Sequence, residues 1–290
     1  MALIGDWLAS GPLLTDGGWG TQLQGLGLGL GECPDGWNLT HPEMVERVAS
    51  AYVEAGSQVI LTNTFRGNRI SLAGYGLEGK TAEINRSGAA ISKRAAAGRA
   101  LVFASIGPTG KMLMTGEVSE QELLDAFTEQ AQALADGGAD ALLVETMADI
   151  AEASAALRAA RATGLPVVVS FVFDSGKNKD RTMMGSSPEQ VVKAMEEAGA
   201  DAIGANCGLG IEGYVPVAKR LTAATSLPVW IKANAGLPEM VADQVVYKTS
   251  AETFASHVPA LIETGVSFVG GCCGTNPDFI KAAARVMKKQ

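Results

Sequence analysis

The chain has 290 residues, a net charge of −8 at neutral pH, 47% hydrophobic residues and 19% charged ones. That length supports one large core, and the acidic balance argues against nucleic-acid binding, which needs clustered Lys and Arg. No apolar run approaches the roughly 18 residues of a membrane span, and Met1 to Leu14 carries Asp6 and lacks the basic start of a secretion signal, so a cytoplasmic setting is expected.

The elements alternate from one end to the other. Strands are predicted over Leu13–Asp16, Val59–Phe65, Leu101–Gly107, Ala141–Met147, Val167–Phe173, Ala202–Cys207, Val229–Ala235 and Ser267–Cys272. Helical patterns fall near 41–55, 81–98, 119–136, 149–163, 188–198, 213–224, 250–264 and 276–288. A joint recurs: Glu54-Ala-Gly-Ser-Gln-Val-Ile60 resembles Asp136-Gly-Gly-Ala-Asp-Ala141, Glu197-Ala-Gly-Ala-Asp-Ala202 and Glu263-Thr-Gly-Val-Ser-Phe268. Each reads as a helix closed by a glycine that tolerates positive φ, followed by an apolar strand buried on both faces. Eight such units predict an α/β fold, a single (β/α)8 barrel over residues 1–290. A doubly wound sheet fits less well, because no Gly-x-Gly-x-x-Gly follows the first strand.

Barrels of this kind act at the C-terminal ends of their strands. Those ends here are Asp16-Gly-Gly18, Thr62-Asn-Thr-Phe65, Ser105-Ile-Gly107, Glu145-Thr146, Asn206-Cys-Gly208, Lys232-Ala-Asn234 and Gly271-Cys-Cys-Gly274. Reduced cysteines in a cytoplasmic protein point to metal binding or catalysis more than to disulfides. Cys207, Cys272 and Cys273 therefore predict a Zn²⁺ site with three thiolates and one open position. A thiolate-only ligand set makes the metal a poor activator of water. It suits a substrate thiol, whose pKa it would lower. Cys33 is left over in a loop, and His41 and His257 lie in helical patterns away from the strand ends.

Asp16 and Glu145 are carboxylates on opposite sides of the predicted mouth. Beside Gly17 and Gly18, whose backbone N–H groups can approach an anion, they read as a clamp for an amino acid. The alternative is that one of them serves as a base in a zinc-independent barrel lyase. Asn63, Asn206 and Asn234 could orient substrate or bond to the zinc thiolates, or simply pin the barrel top. The loop Asp174–Arg181 reads as a lid or a solvated loop.

Taken together, Asp16-Gly-Gly-Trp-Gly-Thr21, His41-Pro-Glu43, Thr62-Asn-Thr-Phe65, Ser105-Ile-Gly-Pro-Thr-Gly110, Val144-Glu-Thr146, Thr182-Met-Met-Gly185, Gly204-Ala-Asn-Cys-Gly208 and Gly270-Gly-Cys-Cys-Gly-Thr275 resemble the homocysteine S-methyltransferase family. The resemblance spans nearly the whole chain. It includes the betaine–homocysteine methyltransferases and the homocysteine domain of cobalamin-dependent methionine synthase. It implies that Cys207, Cys272 and Cys273 bind zinc, that Gly17 and Gly18 hold the homocysteine carboxylate, and that Asp16 and Glu145 hold its amine. The product would be methionine.

The methyl donor is less legible. Trp37 offers an indole face for an onium cation, an attraction worth roughly 1–2 kcal/mol when desolvated, and Phe65 and Tyr75 could complete a cage. That favours a small onium donor such as glycine betaine. S-methylmethionine or a separate methylcorrinoid protein is the alternative, since the sequence holds no Asp-x-His-x-x-Gly cobalamin motif.

Overall fold

The computed structural model describes residues 2–241 and 244–288. Its strands are β1 (Leu13–Leu14), β2 (Val59–Ile60), β3 (Leu101–Ile106), β4 (Ala141–Met147), β5 (Val167–Phe171), β6 (Ala202–Gly210), β7 (Val229–Asn234), β8 (Glu239–Val241), β9 (Gln244–Val246) and β10 (Phe268–Gly271). Eight of them form a parallel sheet in the order β1-β10-β7-β6-β5-β4-β3-β2. A parallel bridge from Thr15 to Val59 joins the two edges and closes the (β/α)8 barrel. The closing helices come from the repeated joint: Pro42–Ala55, for example, stops at Gly56 with φ 107°.

Alternation along the strands sorts side chains into two cores. On β7, Val229, Ile231 and Ala233 face the helices, while Trp230 points into the barrel. Phe103, Trp230 and Phe268 stack there, with centroids 5.8 Å and 5.2 Å apart. The helix Ala2–Trp7, not foreseen in the sequence, adds Trp7 at 5.5 Å from Phe103 and the buried Ile4. Further along the inward rows the chemistry changes. Ser105, Glu145, Ser170, Asn206 and Lys232 replace the apolar interior with a buried polar layer. The fold thus sets a polar floor beneath the C-terminal mouth.

Three differences from the predicted elements bear on the site. The expected strand Val59–Phe65 ends at Ile60, because Leu61 N–H bonds to the Asp16 carboxylate (2.7 Å) and not to the ladder. β6 runs past Cys207 to Gly210, with a register shift after Asn206. A β8–β9 hairpin, not among the predicted elements, stands between β7 and the helix Ala251–Ile262.

Candidate metal centre and substrate pocket

Strict alternation would turn Cys207 away from the barrel, since Ala205 faces the helices. A bulge prevents this. Cys207 has φ 62° and Gly208 has φ 62°, a left-handed stretch that re-aims the thiol toward β10. A non-glycine residue there costs on the order of 1–3 kcal/mol. β4 has a matching irregularity, with Thr146 at φ 60° between paired residues Val144 and Met147. The second pair of thiols is placed by backbone bonds. Cys272 N–H donates to Ala233 O (2.7 Å), and Ala235 N–H donates to Cys273 O (3.0 Å). Gly18 permits this packing, because a Cβ there would meet Cys272 O at 2.8 Å. Thr275 ties the turn down: its hydroxyl donates to Cys272 O (2.8 Å) and accepts from Gly18 N–H (3.0 Å).

The result is a cluster. The Sγ atoms of Cys207, Cys272 and Cys273 all lie within 4.8 Å of one another, and Cys207 and Cys273 are 3.8 Å apart. Sulfurs bound tetrahedrally at about 2.3 Å from one ion would stand about 3.8 Å apart, so the donor set fits a metal of that kind. Among the described residues these are the His, Cys, Asp and Glu side chains that could hold one in a group of three or more. Cys207 is pushed up to about 11: its bond with Cys272 lowers it, but the bond with Cys273, burial and the Cys273 charge outweigh that. Cys273 is pushed up to about 12, where the bond to Cys207 lowers and those to Cys272, with burial, raise. Cys272 is raised further still, first by Cys207. Packed thiolates repel, and a divalent cation held there would supply the compensating charge.

Glu145 sits on the polar floor, 6% exposed, and Ser105 Oγ and Asn206 Nδ2 (3.2 Å) donate to it. Burial pushes its carboxyl up, against the lowering charge of Lys232 and the Ser105 bond. Asn206 links this acid to the cysteines, with Nδ2 4.0 Å from Cys272 Sγ. Its Oδ1 accepts from Thr146 N–H (2.9 Å) and Ser170 Oγ (2.7 Å), which fixes its orientation. Asn234 Oδ1 is buried with no hydrogen-bond partner, on the same inward row as Lys232. Asp16 is fully buried and ion-paired with Lys232.

The proposed donor residues do not gather in one place. Phe65 and Tyr75 share a cavity of about 640 Å³ with Arg66 and Lys111. Trp37 is not part of its lining; it is 7% exposed, packs in the outer core and lies 4.5 Å from the His41 ring. Asn63 is likewise spent on structure, donating to Pro34 O (2.7 Å) and Asn38 Oδ1 (3.1 Å). Cys33 packs with Leu72 and Ile84. His257 pairs with Glu212 at 2.7 Å. The Asp174–Arg181 loop is braced by a Ser175–Arg181 bridge and an Asp180–Arg220 contact of 2.5 Å.

Sequence reasoning passed over Tyr247, which follows the β8–β9 hairpin. Its ring packs so closely on Gly274 (φ 78°), beside Cys273, that a Cβ there would meet it at 2.2 Å. It also passed over Tyr214, whose hydroxyl donates to Cys207 O (2.5 Å). Thr275 could have been found, since it directly follows the double cysteine.

The segment Asp35–Trp37 carries its own titration. Burial pushes the Asp35 carboxyl from an ordinary 3.8 to about 7, against the lowering Arg66 N–H bond (2.9 Å). The folded chain then keeps a proton that the unfolded chain has released. Stability falls as pH rises through that interval. Asp35→Asn retains an acceptor for Arg66 N–H and removes the slope. Urea titrations at a series of pH values should show the variant gaining on the wild type toward neutrality, by roughly 2–4 kcal/mol. An unchanged pH dependence would contradict this assignment.

Fold and site together define a (β/α)8 barrel with a three-cysteine centre and an acidic floor at its C-terminal mouth. A sequence model of the family described as homocysteine S-methyltransferase matches residues 13–287. The chain belongs to that family. It is 33% identical to a methionine synthase of Mycobacterium leprae over 98% of its own length, and 33% identical to one of Mycobacterium tuberculosis over 96%. It spans about a quarter of the length of those relatives, covering 25% of each. The homocysteine methyltransferase MmuM from Escherichia coli has the same fold. Its metallated form gives a TM-score of 0.79 at 24% identity, covering 94% of this chain and 96% of that one. Its oxidized form gives 0.80 at 23% identity, with 94% and 95% covered.

Proposed function

We propose that this protein transfers a methyl group to the thiol of homocysteine, forming methionine, with Zn²⁺ held by Cys207, Cys272 and Cys273. The observation that carries the reading is the junction of three converging thiols with a buried carboxylate, made by Asn206, which reaches both Glu145 and Cys272. A metal held there supplies positive charge that lowers the pKa of a substrate thiol beside it. The chain's own residues do the rest. The acidic floor receives the substrate's ammonium, and the backbone at Gly17 faces its carboxylate, since Gly18 N–H is held by Thr275 Oγ (3.0 Å). Asn206 keeps Glu145 in place, and the buried floor excludes water. Methyl transfer then needs the donor carbon aligned with the sulfur, which is a matter of positioning. A zinc-independent lyase would leave the three convergent thiols without a purpose.

The donor in this reading is a small onium compound such as glycine betaine. The cavity of Phe65 and Tyr75 offers rings for the cation, and Arg66 and Lys111 offer charge for a carboxylate. A second reading is favoured by the rim. Leu30, Met114, Met183, Leu237 and Met240 are all 63% exposed or more, and all lie in segments between a barrel strand and the main helix that follows it. Exposed apolar side chains on that side of the barrel suit contact with a methyl-carrying corrinoid protein. Methionine formation should be assayed with homocysteine and, in turn, betaine, S-methylmethionine and methylcobalamin. Turnover with one of the first two supports the onium donor. Turnover with methylcobalamin alone supports the carrier. No methionine from any donor, with zinc present, would overturn the proposal.

A further inference from the structure

Each cysteine of the metal centre has its own brace, and the braces differ in kind. Cys207 is held by Tyr214, a fully buried side chain on the helix Ile211–Ala224, whose hydroxyl donates to Cys207 O (2.5 Å). Cys272 is held by its own turn. Its carbonyl accepts from Thr275 N–H (3.1 Å) and from the Thr275 hydroxyl (2.8 Å), and its N–H donates to Ala233 O (2.7 Å). Cys273 is less tied. Among the described residues its backbone makes one such bond, the carbonyl accepting from Ala235 N–H (3.0 Å).

Tyr247 supplies what the backbone lacks there. Its ring lies on the turn that follows Cys273: a Cβ on Gly274 would meet Tyr247 Cγ at 2.2 Å, Cδ2 at 2.4 Å and Cβ at 2.7 Å. With φ 78° as well, that position admits only glycine. The phenol lies beside the sulfurs. Burial pushes its pKa up, and the neighbouring charges of Cys273 and Cys207 add to that. The chain carries Tyr247 to this place on a strap whose two feet meet at the metal centre. The incoming foot is Ala235, which bonds to Cys273 O, and the outgoing foot is Thr249, whose N–H donates to Ala235 O (3.3 Å). A Cβ on Gly236 (φ 88°) would meet Thr249 Oγ1 at 2.5 Å, so the feet touch. Glu239 and Lys248 pair between them at 2.5 Å, and the β8–β9 hairpin stands above.

We propose that Tyr247 is the positioning residue of Cys273, its ring clamping the Cys273–Gly274 turn so that this sulfur stays within the metal-binding cluster. This rests on the reading that the three cysteines hold Zn²⁺. It gives the β8–β9 hairpin a role, as the strap that fixes one thiol of the donor set. Tyr214 and Thr275 belong to the barrel and to the cysteine turn itself, whereas Tyr247 comes from outside the barrel repeat. Loss of its ring frees one sulfur and leaves two, which hold zinc poorly.

The test makes two measurements on the reduced protein. One is zinc affinity, by competition with a chromogenic chelator. The other is iodoacetamide labelling of the metal-free protein, mapped cysteine by cysteine by mass spectrometry. Tyr247→Ala should weaken zinc binding by roughly 10–100-fold. In the metal-free protein it should speed labelling of Cys273 by about tenfold relative to Cys207 and Cys272, because that thiol alone is released. Tyr247→Phe keeps the ring and should stay within about threefold of wild type in both measurements. Unchanged zinc affinity in Tyr247→Ala overturns the inference. So does labelling that rises equally at all three cysteines, which is the mark of general loosening. A Tyr247→Phe as defective as Tyr247→Ala also overturns it, since the hydroxyl and not the ring would then be at work. Tyr247→Leu keeps apolar volume under the hairpin without a ring, and decides by the same criteria should Tyr247→Ala not fold. A wild type that takes up no zinc overturns the metal reading, and the labelling then judges the clamp by itself.

Discussion

Cys272→Ala is expected to remove the metal and, with it, nearly all methyl transfer. The three sulfurs form one donor set, and two thiols do not close a tetrahedral site against competing chelators. Cys272 is also the thiol nearest Asn206, so its loss separates the metal centre from the acidic floor. A free thiol of pKa about 8.5 is only a few per cent ionised at neutral pH. Loss of that ionisation alone costs tens-fold, and loss of alignment between sulfur and donor adds to it, for a total of on the order of 10³-fold in kcat/KM. Zinc content by elemental analysis should fall from about one per chain to near none after dialysis against a weak chelator. The fold should survive, because the turn is held by Thr275, Gly18 and the β7 backbone independently of the sulfur. Retained zinc with retained turnover would remove Cys272 from the ligand set. Retained zinc without turnover would assign it to chemistry and not to metal.

The barrel was legible because its joints repeat. A glycine after most of the helices and an apolar run after it need no knowledge of tertiary contacts. The three cysteines were legible for a related reason: barrel topology sends strand ends to one face, whatever their separation in sequence. What alternation could not give is the direction of Cys207. A period-two reading turns it outward, and only the left-handed pair Cys207–Gly208 turns it back. The same limit hid Thr146, whose φ of 60° accompanies the bulge that leaves Glu145 inward. Tyr247 was hidden because the hairpin before it belongs to no barrel repeat.

The cage of Trp37, Phe65 and Tyr75 failed to assemble for a different cause. Aromatic side chains have two uses, and burial decides between them. Trp37 fills the outer core against His41, while Phe65 and Tyr75 remain on a cavity wall. The sequence holds no mark that separates these outcomes. Lys232 is the reverse case. Its position at a strand end was plain, yet its partner lies 216 residues away on a strand two places over in the sheet. Pairing them requires the inter-strand register.

That pairing sets the second large effect. Lys232→Met should destabilise the protein by roughly 3–5 kcal/mol, because it leaves Asp16 charged, buried and facing Glu145 without a counter-ion. Trp19 Nε1 and Leu61 N–H would still donate to it, but two neutral donors do not replace a charge in so dry a place. The strain falls where the site is built. Asp16 holds Leu61 N–H where β2 leaves the sheet, and its carbonyl accepts from Gly271 N–H (3.0 Å), next to the cysteines. Lys232→Met should therefore also weaken zinc retention, although it touches no sulfur. Adding Asp16→Asn should recover most of the lost stability, since the charge is removed while an amide oxygen can still accept from Leu61 N–H. Replacing a buried ion pair by neutral groups is often close to neutral, whereas breaking one is not. Urea denaturation of the two single variants and the double variant measures the coupling directly. A double variant as unstable as Lys232→Met would show that the lysine acts by packing against Trp230 and not through Asp16. A recovered double variant would show that the charge of Lys232 is needed at this place only because Asp16 is there.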